Sequence, residues 1–220
     1  METPRPPLTP PSPPTERATV SPVLPLLLLK TVRDMDLPPE FLEEENLYAS
    51  MPRRFGLNQV VNAQIDRFQE EVRRGRPQPD AVVTDLVRLV IRRPDAEEVF
   101  EEAGRGVARH FWERRPAPLR KLIRLLPAGL SLRLACQELE RLLEEIAGRG
   151  RAELEGGGER LVIHDCLGVM ADPGGAACAL YAGAASELFG CYTGKDYRAR
   201  HFRCGARGDD SCEWRIYENA

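Results

Sequence analysis

Four side chains with an affinity for metal crowd the last 43 residues, and they constrain the fold more than any other feature of the chain. Cys178 is followed by His201 after 22 intervening residues, by Cys204 after two more and by Cys212 after seven more. Three thiolates and an imidazole can occupy the corners of one tetrahedron around zinc, sulfur at about 2.3 Å and nitrogen at about 2.0–2.1 Å. His201 and Cys204 would share one edge, Cys212 would return on the next strand, and Cys178 would come from a separate helix. Such a centre staples that helix to the terminal hairpin. If the helix starts after Gly174-Gly175, Cys178 sits in its first turn, where the positive dipole end favours a thiolate. Four protein ligands leave no open position, so a metal held this way is structural. Spacing alone leaves a second reading open: buried thiols and a core histidine. His201 and Cys204 have opposite parity along a strand, so the metal reading requires the strand to end or bulge between them.

The stretch ahead of this cluster is helical by its periodicity. Val61, Ile65, Phe68 and Val72 recur at helical spacing and end before Gly75 and Pro77. Asp80–Arg92 reads as a second helix with Val82, Leu86, Leu89 and Val90 inward. Pro94–Glu113 reads as a third, with Asp95 as N-cap and Val99, Phe100, Val107 and Phe111 inward. A short helix over Leu119–Leu126 and an amphipathic one over Ser131–Ala147 follow. The pattern then changes. Arg151–Leu154 and Arg160–Cys166 alternate like strands around Gly156–Gly158, Pro173–Gly190 is a helix of small residues, and Tyr197–Arg203 and Ser211–Tyr217 read as final strands. Helices, hairpin, helix and hairpin in that order give an α+β fold with a mostly antiparallel sheet.

Upstream, nine of the first 25 residues are proline, so residues 1–22 are expected to be a disordered tail. Residues 23–54 read as a docking segment and acidic linker. Within it, Val23–Lys30 is expected to begin a strand or helix packing on its own domain or on a partner. Residues 55–220 form the folded domain. Val23–Leu29 is too short to cross a bilayer, for which roughly 20 apolar residues are needed, and no secretory signal is visible. A cytoplasmic protein is the expectation, with its six cysteines reduced or bound to metal.

A net charge of −3 gives no global attraction to nucleic acid. The basic residues are 28 Arg and 3 Lys, a bias that weakens any single Arg cluster as a signature. Cys136 reads as a small core residue. Cys166 and Cys191 are substitute ligands without a close partner in sequence. His164, alternating with Val162 and Cys166, reads as a core or pocket histidine.

Cys178-Ala-Leu-Tyr-Ala-Gly183, His201-Phe-Arg-Cys204 and Gly208-Asp-Asp-Ser-Cys212-Glu-Trp214 resemble the 4-vinyl reductase domain family, which includes zinc-containing sensor domains of aromatic-responsive bacterial activators. By that resemblance Cys178, Cys204 and Cys212 match the family's cysteine ligands, while His201 stands where those sensors carry a glutamate. Phe111–Ala152 is also similar to accessory proteins described as bacteriochlorophyll 4-vinyl reductases. The resemblance implies helices on a twisted antiparallel sheet, as in subunits of the TRAPP tethering complex, and often a homodimer. It also implies a hydrocarbon, aromatic or tetrapyrrole ligand.

Three functions are consistent with these residues. The first is a sensor or accessory module that binds a small hydrophobic ligand and carries structural zinc. The second is an enzyme or enzyme-accessory factor of vinyl reduction in bacteriochlorophyll biosynthesis. Against it, no Gly-x-Gly-x-x-Gly follows a strand and no nucleophile, base and orienter set stands out. The third is an assembly subunit that finds a protein partner through the Pro-rich tail.

Overall fold

A computed structural model describes residues 18–36 and 56–219. The Pro-rich tail and most of the acidic linker lie outside the described residues. The elements are β1 (Thr19–Val20), α1 (Val23–Asp36), α2 (Gly56–Arg74), β2 (Gln78–Pro79), α3 (Asp80–Val90), α4 (Ala96–Glu113), α5 (Ala117–Arg124), α6 (Ala128–Ile146), β3 (Arg151–Glu155), β4 (Arg160–His164), α7 (Leu167–Ala171), α8 (Ala179–Thr193), β5 (Tyr197–Arg203) and β6 (Cys212–Glu218).

The periodicities place the long helices and the four main strands, and the class is α+β as expected. β3, β4, β6 and β5 form, in that spatial order, an antiparallel sheet of four strands. The short antiparallel pair β1–β2 has no counterpart in the sequence pattern; it fixes the entry to α1. Val23, Leu24, Leu26, Leu28 and Leu29 of α1 are buried, so this apolar run packs on its own domain. Leu26 and Leu29 meet Ile65 and Phe68 of α2 in a satellite cluster.

Two expectations on the helices need correction. In α3 Val90 is buried as expected, but the rest of the buried stripe is Val83 and Val87, one position beyond Val82 and Leu86, and Leu89 is 60% exposed. Val82 and Leu86 instead flank the satellite cluster with α1 and α2, so α3 divides its apolar surface between two neighbours. Asp95 does precede α4, but its carboxylate is bound by Arg93 at 2.8 Å and makes no cap bond.

α8 is the centre of the fold. Its small residues let it approach α4 to backbone distance. A Cβ on Gly104 would lie 2.0 Å from the Leu180 carbonyl oxygen, and one on Gly183 would lie 2.0 Å from that of Glu101. On its other sides α8 packs against α6 and β5, with Leu188, Phe189 and Tyr192 buried between them. On the opposite face of the sheet Glu213 is 3% exposed and is bound by Arg160 at 2.7 Å. Burial pushes its carboxyl up, but the bonds from Arg160 and Ser211 outweigh this and hold it below the usual carboxylate range.

The contact at Gly183 meets backbone, which cannot swing aside, so Gly183→Ala must separate α4 from α8. The expected result is a loss of roughly 2 kcal/mol or more in urea unfolding; unchanged stability would contradict the close approach.

Candidate metal centre

Three separate devices bring the four predicted ligands together. The first positions Cys178. It closes a single 3-10 turn, Ala176–Cys178, immediately before α8. Gly175 enters that turn at φ 82°, in the left-handed region, and a Cβ there would stand 2.8 Å from the Cys204 sulfur. Glycine thus supplies both the turn and the clearance. The buried carboxylate of Asp172 holds the turn, accepting bonds from the Gly174 and Ala177 N–H groups at 2.8 Å each.

The second device is the register shift that the metal reading required. His201 pairs with Trp214, but Arg203 pairs with Glu213, so two steps along β5 oppose one along β6. Phe202 is the extra residue and is 48% exposed. The bulge turns Cys204 back to the side of His201 and Cys212. His201 lies flat on the buried Trp214, ring centroids 4.6 Å apart and planes inclined by 15°.

The third device is the turn between the strands. The Cys204 N–H donates to the Asp209 carboxylate at 2.7 Å, and its carbonyl accepts from Arg207 N–H and Asp209 N–H. The Gly205 N–H donates to the Cys212 sulfur at 3.4 Å.

The donor atoms of Cys178, His201, Cys204 and Cys212 all lie within 4.8 Å of one another, and the three cysteines are buried. The Cys178 sulfur is 4.0 Å from that of Cys204 and 3.8 Å from that of Cys212. Sulfurs on a tetrahedron with zinc–sulfur bonds of about 2.3 Å are separated by about 3.8 Å, so the spacing fits. The His201 Nε2 is buried without a hydrogen-bond partner among the described residues, a costly state that a metal bond would relieve. This donor set could hold a metal ion.

A fifth thiol borders the cluster. Cys166, 1% exposed after β4, contacts Cys178 and Cys212 and lies beside the Tyr181 hydroxyl, which is itself buried without a well-formed hydrogen bond among the described residues. Contact with Cys166 and Cys212, then burial, keeps the Cys178 thiol protonated far above its ordinary range when no cation is present.

The remaining residues singled out in the sequence lie elsewhere. Cys191 is inside α8, not beyond it. Burial first, then Glu187, pushes its thiol up to about 11. Cys136 is half-buried on α6, its thiol donating to the Gly157 carbonyl at 3.4 Å. His164 is exposed and not a core or pocket residue, because Leu161 and Ile163 face the core while His164 closes the strand on the other side.

Residues 160–218 match the family model of the 4-vinyl reductase domain. Over these residues the chain is similar to that family. The match runs from β4 to the end of β6 and contains all four candidate ligand positions, in accord with the resemblance carried by the cysteine motifs. No curated protein and no solved structure matches the chain.

Hydrophobic periodicity and metal-ligand spacing do not mark Asp172, although Asp172-Pro-Gly-Gly175 has the form of a turn in which the aspartate bonds the backbone two residues on. Asp172→Ala should remove both bonds to the turn of Cys178. The expected result is a loss of roughly 3 kcal/mol in urea unfolding and about tenfold weaker metal binding in competition with a chelator. Wild-type values for both would show that the carboxylate does not position Cys178.

Proposed function

We propose that the chain is a ligand-binding module, serving as a sensor or accessory factor, whose 4-vinyl reductase domain is held together by one structural zinc ion. The observation that carries this reading is the convergence of Cys178, His201, Cys204 and Cys212 from three elements. Zinc suits three thiolates and an imidazole, is indifferent to redox state and accepts a tetrahedron without strain. With all four corners supplied by the chain, no coordination site remains for a substrate, which favours a structural role over Lewis-acid catalysis.

A pocket of about 350 Å³ supports the binding function. Arg105, Arg124, Ser186, Glu187, Cys191 and Tyr197 are among the residues that line it. It opens near the far end of α8: thirteen residues at 1.5 Å per residue put Cys191 about 20 Å along the axis from Cys178. Tyr197 offers an aromatic wall and Arg124 a guanidinium, a combination suited to a small aromatic compound with an anionic end. The volume is at the low end of the roughly 300–1,000 Å³ typical of ligand sites, which favours such a compound over a tetrapyrrole. The family likeness supports a homodimer.

Vinyl reduction is the second reading, and only the resemblance to bacteriochlorophyll 4-vinyl reductase proteins favours it. It would require a hydride donor beside an alkene.

Purified protein should carry one zinc per chain by elemental analysis. Cys204→Ser should lose it and melt roughly 10 °C or more below wild type, because metal binding and folding share one free energy. Full zinc occupancy and wild-type melting in Cys204→Ser would refute the centre. Separately, an aromatic carboxylate should raise the melting temperature of wild type, and Arg124→Ala should abolish that rise while keeping its zinc. No shift across a panel of aromatic acids would refute the pocket assignment.

A further inference from the structure

The hairpin of α5 and the start of α6 carries four leucines in water. Leu119, Leu122, Leu125 and Leu130 are 40%, 58%, 81% and 51% exposed, and within α5 only Ile123 is buried. Single surface leucines need no explanation. Four within twelve residues, on a helix with so little of itself in the core, make a patch with a use.

The charges around the patch have one sign. From Arg114 to Gln137 there is no Asp or Glu, while Arg120, Lys121, Arg124 and Arg133 are set among the leucines. Arg124 is tethered to the Cys191 carbonyl at 3.3 Å and lies over the Trp112 ring. Arg120, Lys121 and Arg133 have no carboxylate partner among the described residues; the nearby carboxylate of Glu138 is taken by Arg115 and Arg141. Helical spacing sets the most exposed leucine, Leu125, between Lys121 and Leu122, while the buried Ile123 lies between Leu119 and Arg120.

We propose that this hairpin docks the protein on an anionic lipid surface, with the leucines entering the interface and the cations meeting lipid phosphates. An apolar row edged by Arg and Lys, with no anion of its own, is the pattern of interfacial helices. Charge argues against a second copy as the occupant: a two-fold contact through this patch would set like charges face to face. No helix among the described residues is long and apolar enough to cross a membrane, so attachment through the hairpin would be peripheral.

The test sediments the full chain with vesicles of phosphatidylcholine, with or without phosphatidylglycerol. The expected result is partitioning at least about tenfold stronger onto the phosphatidylglycerol vesicles, weakening as salt is raised. The double variants L122S/L125S and K121E/R133E should each lower it at least about tenfold, with circular dichroism and metal content unchanged. No sedimentation with anionic vesicles overturns the proposal, as does equal partitioning of wild type and both variants. Conversion of a dimer to a monomer by L122S/L125S, without lipid binding by wild type, also overturns it and makes the patch a self-association surface.

Discussion

The first turn of α8 is held from two directions, and the carboxy-terminal half is arranged around that constraint. Along its body α8 touches α4 through backbone, at Gly183 against Glu101 and at Gly104 against Leu180. At its start, the left-handed Gly175 and the Asp172 carboxylate fix the 3-10 turn that ends at Cys178. Cys178 therefore has little freedom, and the hairpin of β5 and β6 must come to it. The bulge at Phe202 and the turn closed by Asp209 bring the hairpin there. The result is three sulfurs and an imidazole nitrogen in a buried knot 4.8 Å across. Neutral thiols and a nitrogen without a hydrogen bond are a poor way to fill such a space. A tetrahedral cation would satisfy all four groups at once.

The two ends of α8 have different characters. One end meets buried thiols and the stacked rings of His201 and Trp214. The other opens into a polar pocket beside Arg105 and Arg124. Tyr181, Ala184, Leu188 and Tyr192 are buried between them, so the helix is a packed strut, and its small residues serve close contact with α4 rather than an internal cavity. This division separates what stabilises the domain from what it would bind.

Periodicity made the helices legible because one face of each meets the core. It misplaced the stripe of α3, which packs against two clusters and so has no single inward face. α7 is five residues long, too short to show a helical repeat. The clustering of Cys178, His201, Cys204 and Cys212 was legible from residue types and spacing together with the family resemblance, and the bulge between His201 and Arg203 is what the parity argument demanded. Cys166 was not, since its place beside Cys178 and Cys212 depends on where β4 ends relative to α8. His164 was misread because alternation identifies two faces of a strand without saying which is inward; Leu161 and Ile163 take the core side of β4.

The coordination sphere of the purified, metal-loaded protein, measured by X-ray absorption at the zinc edge, tests the central claim most directly. The account predicts three sulfur neighbours at about 2.3 Å and one imidazole nitrogen at about 2.0–2.1 Å. A shell dominated by oxygen, or a fourth sulfur in place of the imidazole, would contradict it.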